Sequence, residues 1–512
     1  MKDAGDRTQG KGIAVARRTF LRSTVGGIAA GTLAASGLAH TALAQDWKTE
    51  LGREQNKGRR VLLRGGTILA MDPTVGDFLK GDVLIDGSRI SQIDKSISSR
   101  GATVIDATGT IIIPGFVDTH RHAWQNHFRR AIPNSALLAD YSAFTHSGIG
   151  PFSRPQDHYA GNLITDLGAI HSGITSMLDY SHNTRSGAHA DSAIQAHFAS
   201  GLRAVFAYGP ASVGTWDRQH PQDIVRVKGR FFSSDDQLVS LRLATNLIEE
   251  NFALARANGV KVTSDAAFVR NPPIPTYVPT LMDFGRRGLL GPDVTLIHGT
   301  AFPDEVFRMI KDTGTRVSLA PTSDAHYRTL GDSITPIQKV LDFGIVAGLS
   351  VDVEVTLSSD FFSQMRMAFY VQRMLANKRF TDGDTSAPVE MNARRILEMA
   401  TLNGAKCNGL EHKVGSLTPG KEADILMIEA DDVLNMPLNN AVGTVVLGAD
   451  TSSVRNVFIG GRLKKWNGKL VGVDINRVRT LVYASRDYLA KQSQLWKPSD
   501  ILGDGHCQSC TT

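Results

Sequence analysis

Apolar positions in this chain recur with two periods, and the period changes along its length. Between about residues 114 and 352, short apolar runs of strand length alternate with stretches of helical spacing. The runs at 114–119, 174–180, 202–208, 238–244, 260–265, 294–299, 316–320 and 346–352 read as strands. Leu247–Asn258 and Pro303–Thr313 read as helices between them, the second with Val306, Met309 and Ile310 on one face. Eight strand–helix units predict an α/β fold, a closed parallel (β/α)8 TIM-like barrel.

Two β-rich segments flank this region. The first, 60–113, carries Val61-Leu62-Leu63 and Asp82-Val83-Leu84-Ile85, followed by a turn at Asp86-Gly87-Ser88. The second, 414–474, carries Ala423–Ile428 and Val454–Ile459, with turns at Gly460-Gly461 and Asn467-Gly468. Neither is large enough to bury a core alone, so the two are expected to close together as a small β-sandwich domain. The barrel is expected over 114–413, with helices at Asn392–Leu402 and Ile475–Gln492, the latter opening a C-terminal helix and tail over 475–512.

Residues 1–44 stand apart. Arg17-Arg18-Thr19-Phe20-Leu21 precedes a Gly/Ala-rich apolar stretch and the small-x-small sequence Ala42-Leu43-Ala44. This resembles a twin-arginine signal and predicts an exported, periplasmic or secreted enzyme that meets the twin-arginine export machinery. The stretch is short and glycine-rich for a membrane span. It also alters the charge picture, because four of the six net positive charges lie in it. The remaining chain carries no basic excess that would indicate a nucleic-acid partner. The expected partner is a small-molecule substrate, with a homo-oligomer left open. Of three cysteines, Cys507 and Cys510 sit beside His506 in the polar tail, where an oxidising compartment would permit a local disulfide.

Barrel enzymes carry their chemistry at the carboxyl ends of the strands. The first strand ends in His120-Arg121-His122, and residues i and i+2 on a strand share a face, so both imidazoles converge. The sixth ends in Leu296-Ile297-His298-Gly299 and the eighth in Leu349-Ser350-Val351-Asp352. Singly, His298 reads as a hydrogen-bonded histidine and Asp352 as a helix cap. Four nitrogen and oxygen ligands at one rim instead predict a metal site. Trp124, Gln125 and Arg129 follow the histidine pair, where a planar substrate could stack and be hydrogen-bonded.

Taken together, Pro114-Gly115-Phe116-Val117-Asp118-Thr119-His120-Arg121-His122, Leu296-Ile297-His298-Gly299, Leu349-Ser350-Val351-Asp352 and Gly415–Asp424 resemble the amidohydrolase superfamily. The likeness covers about residues 60–475 and is greatest to the branch of cytosine deaminases, chlorohydrolases and nucleoside deaminases. It implies that His120 and His122 are metal ligands and that Asp352 is both a ligand and the acceptor of a proton from the attacking water. His298 then polarises the substrate or orients that water. The fourth strand has Ser240-Leu241-Arg242-Leu243 and no bridging lysine, which implies one divalent ion, zinc with iron as the alternative. Asp324, after the seventh strand, falls where such enzymes place a substrate-facing polar residue.

The departure lies at the fifth strand. The family carries there a histidine followed three residues later by a glutamate, whereas this chain has Ser264-Asp265-Ala266-Ala267-Phe268. Asp265 could take over as ligand or proton shuttle, His298 could move closer to the metal, or His182, after the second strand, could fill the gap. The resulting expectation is a metal-dependent hydrolase of a carbon–nitrogen bond in a small cyclic or aromatic molecule, deaminase-like. The alternatives are a cyclic amide or amide hydrolase, or a catalytically inactive ligand-binding barrel.

Overall fold

A computed structural model describes residues 59–213, 219–265, 270–271, 274–275, 277–327 and 333–503. Five strands precede the barrel: β1 (Arg60–Ile68), β2 (Phe78–Asp86), β3 (Arg89–Asp94), β4 (Thr103–Asp106) and β5 (Thr110–Pro114). The barrel begins with β6 (Phe116–Arg121), β7 (Ile174–Thr184), β8 (Arg203–Pro210), β9 (Ser240–Ala244) and β10 (Lys261–Ser264). A two-strand antiparallel ribbon follows, β11 (Arg270–Asn271) and β12 (Ile274–Pro275). The barrel resumes with β13 (Val294–Ile297), β14 (Arg316–Leu319) and β15 (Ala347–Leu349). The chain then returns to the flanking sheet as β16 (Ile425–Glu429), β17 (Val454–Ile459), β18 (Arg462–Trp466) and β19 (Lys469–Leu470).

All eight barrel strands lie where the pattern predicts them, and they pair in parallel and in sequence from β6 to β15. The ring closes beyond β15, through a parallel bridge between Arg121 and Asp352. There Asp352 N donates to His120 O at 3.0 Å and His122 N to Asp352 O at 3.1 Å. Inside lies a packed apolar core of Val117, Leu178, Val205, Ala207, Ala244 and Ile297, which meets Ala405, Leu410 and Val414. Outside, the helices turn apolar faces onto the strands. Val306, Phe307 and Ile310 of helix Asp304–Thr313 are buried, while acidic Asp304 and Glu305 occupy its first turn, where the helix dipole favours them.

The flanking segments join into one mixed sheet of nine strands, in which β5 and β16 pair antiparallel from Thr110↔Glu429 to Pro114↔Ile425. Val61, Leu63, Ile68, Val83, Ile85 and Ile112 from the first segment enclose a core with Ile425, Met427 and Phe458 from the second. This is the small β-rich companion expected of two halves that cannot bury themselves separately. Gly115, between β5 and β6, has a physical reason to be glycine: a Cβ there would lie 1.9 Å from Thr175 Oγ1. Residues 1–44, read as an export signal, and the Cys507–Cys510 pair lie outside the described residues. Among those described, no helix is long and apolar enough to cross a membrane.

Candidate active site

The carboxyl ends of four barrel strands converge on one point. His120 comes from β6 and His122 from the residue after it; both are buried, and their Nε2 atoms lie 3.2 and 3.3 Å from Asp352 Oδ1. His298, just past β13, places Nε2 at 3.8 Å from Asp352 Oδ2 and 3.6 Å from Asp265 Oδ1. One donor atom each of His120, His122 and Asp265 lie within 4.8 Å of one another, as do those of His120, His298 and Asp352. His298 and Asp352 both adopt left-handed backbone, with φ of +66° and +68°. Non-glycine residues take that conformation at a cost, and such strain persists only where the surroundings over-determine it. Here His298 N is held by Ser318 O at 2.8 Å and Asp352 N by His120 O.

The electrostatics suit a cation. Burial alone would raise the Asp352 carboxyl, but hydrogen bonds from His120 and His122 outweigh it and hold the group well below the usual carboxylate range. Burial, reinforced by neighbouring His122, lowers His120 to about 3, so its imidazole is neutral. His120 Nδ1 is buried with no hydrogen-bond partner among the described residues, while its Nε2 faces Asp352 Oδ1 at 3.2 Å, and Asp265 Oδ1 is buried 3.6 Å from His298 Nε2. A buried polar atom without a partner costs free energy. Imidazole nitrogens and carboxylate oxygens aimed at one point are the donor set that zinc or iron(II) takes, so these residues fit a divalent ion.

Groups behind the donors fix their orientation. His122 Nδ1 donates to Tyr180 O at 2.9 Å, which turns Nε2 towards the centre. His298 Nδ1 donates to Asp324 Oδ1 at 2.7 Å, and Ser323 Oγ donates to Asp352 Oδ2 at 2.5 Å. Both supports come from the short helix Pro321–His326 after β14. Asp324 was expected to face substrate; it is instead fully buried against His298. Burial raises the Asp324 carboxyl although His298 and Thr335 oppose it, while Asp324 in turn helps to lift His298 to about 9 against the effect of burial.

The residues after the histidine pair divide. Arg129, expected to hold substrate, spends its guanidinium on Glu354 Oε2 at 2.5 Å and on Ile164 O at 2.9 Å. Glu354 is a fully buried carboxylate, which recruits the nearby cation more strongly than solvent could. Trp124 is fully buried and donates from Nε1 to His182 Nδ1 at 2.9 Å, so it packs the loop rather than offering an open stacking face. The His182 ring lies flat on His122, with centroids 3.7 Å apart, and its Nε2 meets Tyr141 OH at 3.2 Å. With both nitrogens engaged, His182 does not fill the strand-five place; Asp265 stands there. Gln125 accepts from Tyr141 OH at 3.1 Å, and its amide nitrogen is buried with no partner among the described residues.

The sequence reading missed Ser323, Tyr141, Tyr180 and Glu354. Ser323 had a signal, since it adjoins Asp324 at the end of the seventh strand. Tyr180 and Glu354 lie two residues from His182 and Asp352, and only the assembled barrel shows what they touch.

Comparison with known proteins bears on this arrangement. The amidohydrolase family profile matches residues 111–464. The chain belongs to the amidohydrolase family. It is a hydrolase of carbon–nitrogen bonds other than peptide bonds. It is 26% identical over 441 residues to a 5′-deoxyadenosine deaminase of Methanosarcina mazei, covering 82% of this chain and 95% of the relative. It is 24% identical over 445 residues to a 5-methylthioadenosine/S-adenosylhomocysteine deaminase of Pyrococcus abyssi, covering 82% and 96%. In structure it is similar to a zinc-bound adenosine deaminase from Xanthomonas campestris, with a TM-score of 0.73 at 18% identity over 84% of this chain and 98% of that one. It is also similar to atrazine chlorohydrolase from Arthrobacter aurescens in complex with zinc, with a TM-score of 0.72 at 20% identity over 83% and 99%.

These relatives correct the expected localisation. The two sequence relatives are deaminases of archaea, matched over nearly their whole length, and relatives of that kind do not indicate a periplasmic or secreted amidohydrolase. The reading of export through the twin-arginine route is withdrawn.

Proposed function

We propose that this amidohydrolase uses one divalent metal ion, zinc with iron as the alternative, to hydrolyse a carbon–nitrogen bond of a small cyclic or aromatic molecule by deamination. The observation that carries the reading is the convergence of His120, His122, Asp265, His298 and Asp352 at one barrel rim. His120, His122 and Asp352 would hold the ion, with Asp265 at the strand-five place. When bound, such an ion lowers the pKa of a coordinated water towards neutrality.

The chain's own groups supply the rest. Asp352 turns Oδ1 to the histidine pair and has Oδ2 fixed by Ser323, so it is oriented to take the proton of the attacking water. His298, held by Asp324 through Nδ1, presents Nε2 to negative charge developing on the substrate. Asp265 lies 3.6 Å from that nitrogen and is the nearby acid that can return a proton to the leaving nitrogen. The buried amide of Gln125 offers an N–H to a ring heteroatom. Relatives that act on 5′-deoxyadenosine and on 5-methylthioadenosine or S-adenosylhomocysteine support a purine-like ring.

A second reading, opening of a cyclic amide, is favoured by one observation: the four residues after Asp265 contain no acid to protonate a ring nitrogen. Two measurements test the proposal. Metal analysis of purified His120→Ala and His122→Ala should show the bound metal lost; unchanged content would sink the site. Ammonia release from purine nucleosides, pyrimidines and triazines, set against ring opening of cyclic amides, decides between the two reactions.

A further inference from the structure

Arg121 stands between the two histidines, and its side chain goes the other way. It is fully buried, with Nε and Nη2 both 2.8 Å from Asp118 Oδ2 and Nη1 2.8 Å from Glu354 Oε1. Glu354 lies two residues beyond Asp352. It also accepts from Asn126 Nδ2 at 3.1 Å and from Arg129 Nε at 2.5 Å. Asp118 Oδ1 in turn accepts from Val351 N at 3.2 Å and from His120 N at 3.3 Å. The segment carrying Asp352 is thus gripped on both sides, at Val351 and at Glu354, by two side chains of the strand that carries the histidines. The two arginines, Arg121 fully buried and Arg129 partly so, balance the two buried carboxylates in charge, which offsets the cost of burying them.

Asp352 needs such a hold. Its positive φ is a conformation that its own backbone does not favour. β15 ends at Leu349, so regular strand pairing has already stopped when the chain reaches it. We infer that the Arg121–Glu354 pair, anchored on Asp118, is a positioning device that sets Asp352 against His120 and His122 and thereby sets how tightly the ion is held. This rests on the reading of those three residues as metal ligands. The fork geometry matters, because one guanidinium reaches two carboxylates at once while a lysine ammonium on its flexible stem reaches one. Partners that orient ligands typically change metal affinity by about 10- to 100-fold when removed.

A bridge serving stability alone would lower the melting temperature and leave metal retention unchanged. The test therefore reads both on the enzyme as purified with its metal: the rate of metal release to excess chelator, and the thermal midpoint. Arg121→Lys keeps the buried charge and Glu354→Gln keeps the shape. Arg203→Lys is the control, since it alters a comparably buried bridge, to Asp424 at 2.9 Å, on the opposite end of the barrel. Arg121→Lys and Glu354→Gln should release metal about 10- to 100-fold faster. Arg203→Lys should melt lower and release at the wild-type rate. Wild-type release from both site variants overturns the inference. Should Glu354→Gln not fold, with a buried guanidinium left uncompensated, Arg121→Lys decides alone. The metal site and the positioning role fail separately. Unchanged metal content in the histidine variants removes the metal site itself, whereas lost content there with wild-type release from Arg121→Lys removes only the positioning role.

Discussion

Two walls of the same rim are built in different ways. The wall formed by β6 and the chain beyond β15 joins His120, His122 and Asp352 by reciprocal backbone bonds, and a charge-balanced group of Arg121, Asp118, Glu354 and Arg129 backs it. The wall at β10 offers Asp265 alone, its carboxyl raised to about 7 chiefly by burial, and the four residues after it lie outside the described part of the chain. The first wall matches the motifs of the amidohydrolase family, and the second departs from them. On the proposed mechanism the difference separates two tasks: activation of water would fall to the first wall, and handling of the leaving group to the second.

The largest expected effect breaks the first wall. Asp352→Asn keeps the shape and removes the proton acceptor, so turnover should fall by about 10³-fold or more, measured as kcat on any accepted substrate. A variant that turned over at the wild-type rate would rule out the assigned role. Asp265→Asn probes the second wall and should cost less, about 10- to 100-fold in kcat, with most of the metal retained. Equal losses of metal from the Asp265 and His122 variants would erase the distinction between the walls.

The smallest effect concerns the support beneath. His197 is fully buried between Asp166 Oδ2 at 2.9 Å and Asp179 Oδ2 at 3.3 Å, and Asp179 Oδ1 holds Ala123 N, next to His122. Burial disfavours its charge, but the two carboxylates outweigh that and raise it to about 10. A raised pKa stabilises the fold fully below the unfolded value of about 6.5 and loses that contribution as pH climbs through about 10. The stability gap between wild type and His197→Gln should therefore be flat below about pH 6.5 and narrow towards pH 10. Denaturant titration across that range measures it, and a constant gap would show that His197 is not held as a cation.

The barrel was legible because its signal is local: apolar runs of strand length, each followed by a stretch of helical spacing, repeat often enough that one weak strand, β9, is fixed by its neighbours. The convergence of His120 and His122 was legible for a related reason, since strand ends and the i, i+2 rule place both on one face without knowledge of the fold. Trp124, Arg129 and Asp324 were read as substrate-facing because sequence gives proximity to a site but not direction. Their actual partners, His182, Glu354 and His298, lie 58, 225 and 26 residues away.

The sequence by itself determined the (β/α)8 barrel, its β-rich companion and the residue types at the strand ends, because periodicity and strand length are properties of neighbouring residues. Only the tertiary structure decided which of those residues meet. The closure between Arg121 and Asp352, the left-handed turns at His298 and Asp352, and the buried ionic group behind them all join positions far apart in the chain. Hydrogen bonds and charge balance in a buried interior depend on distance in space, and no local pattern encodes that.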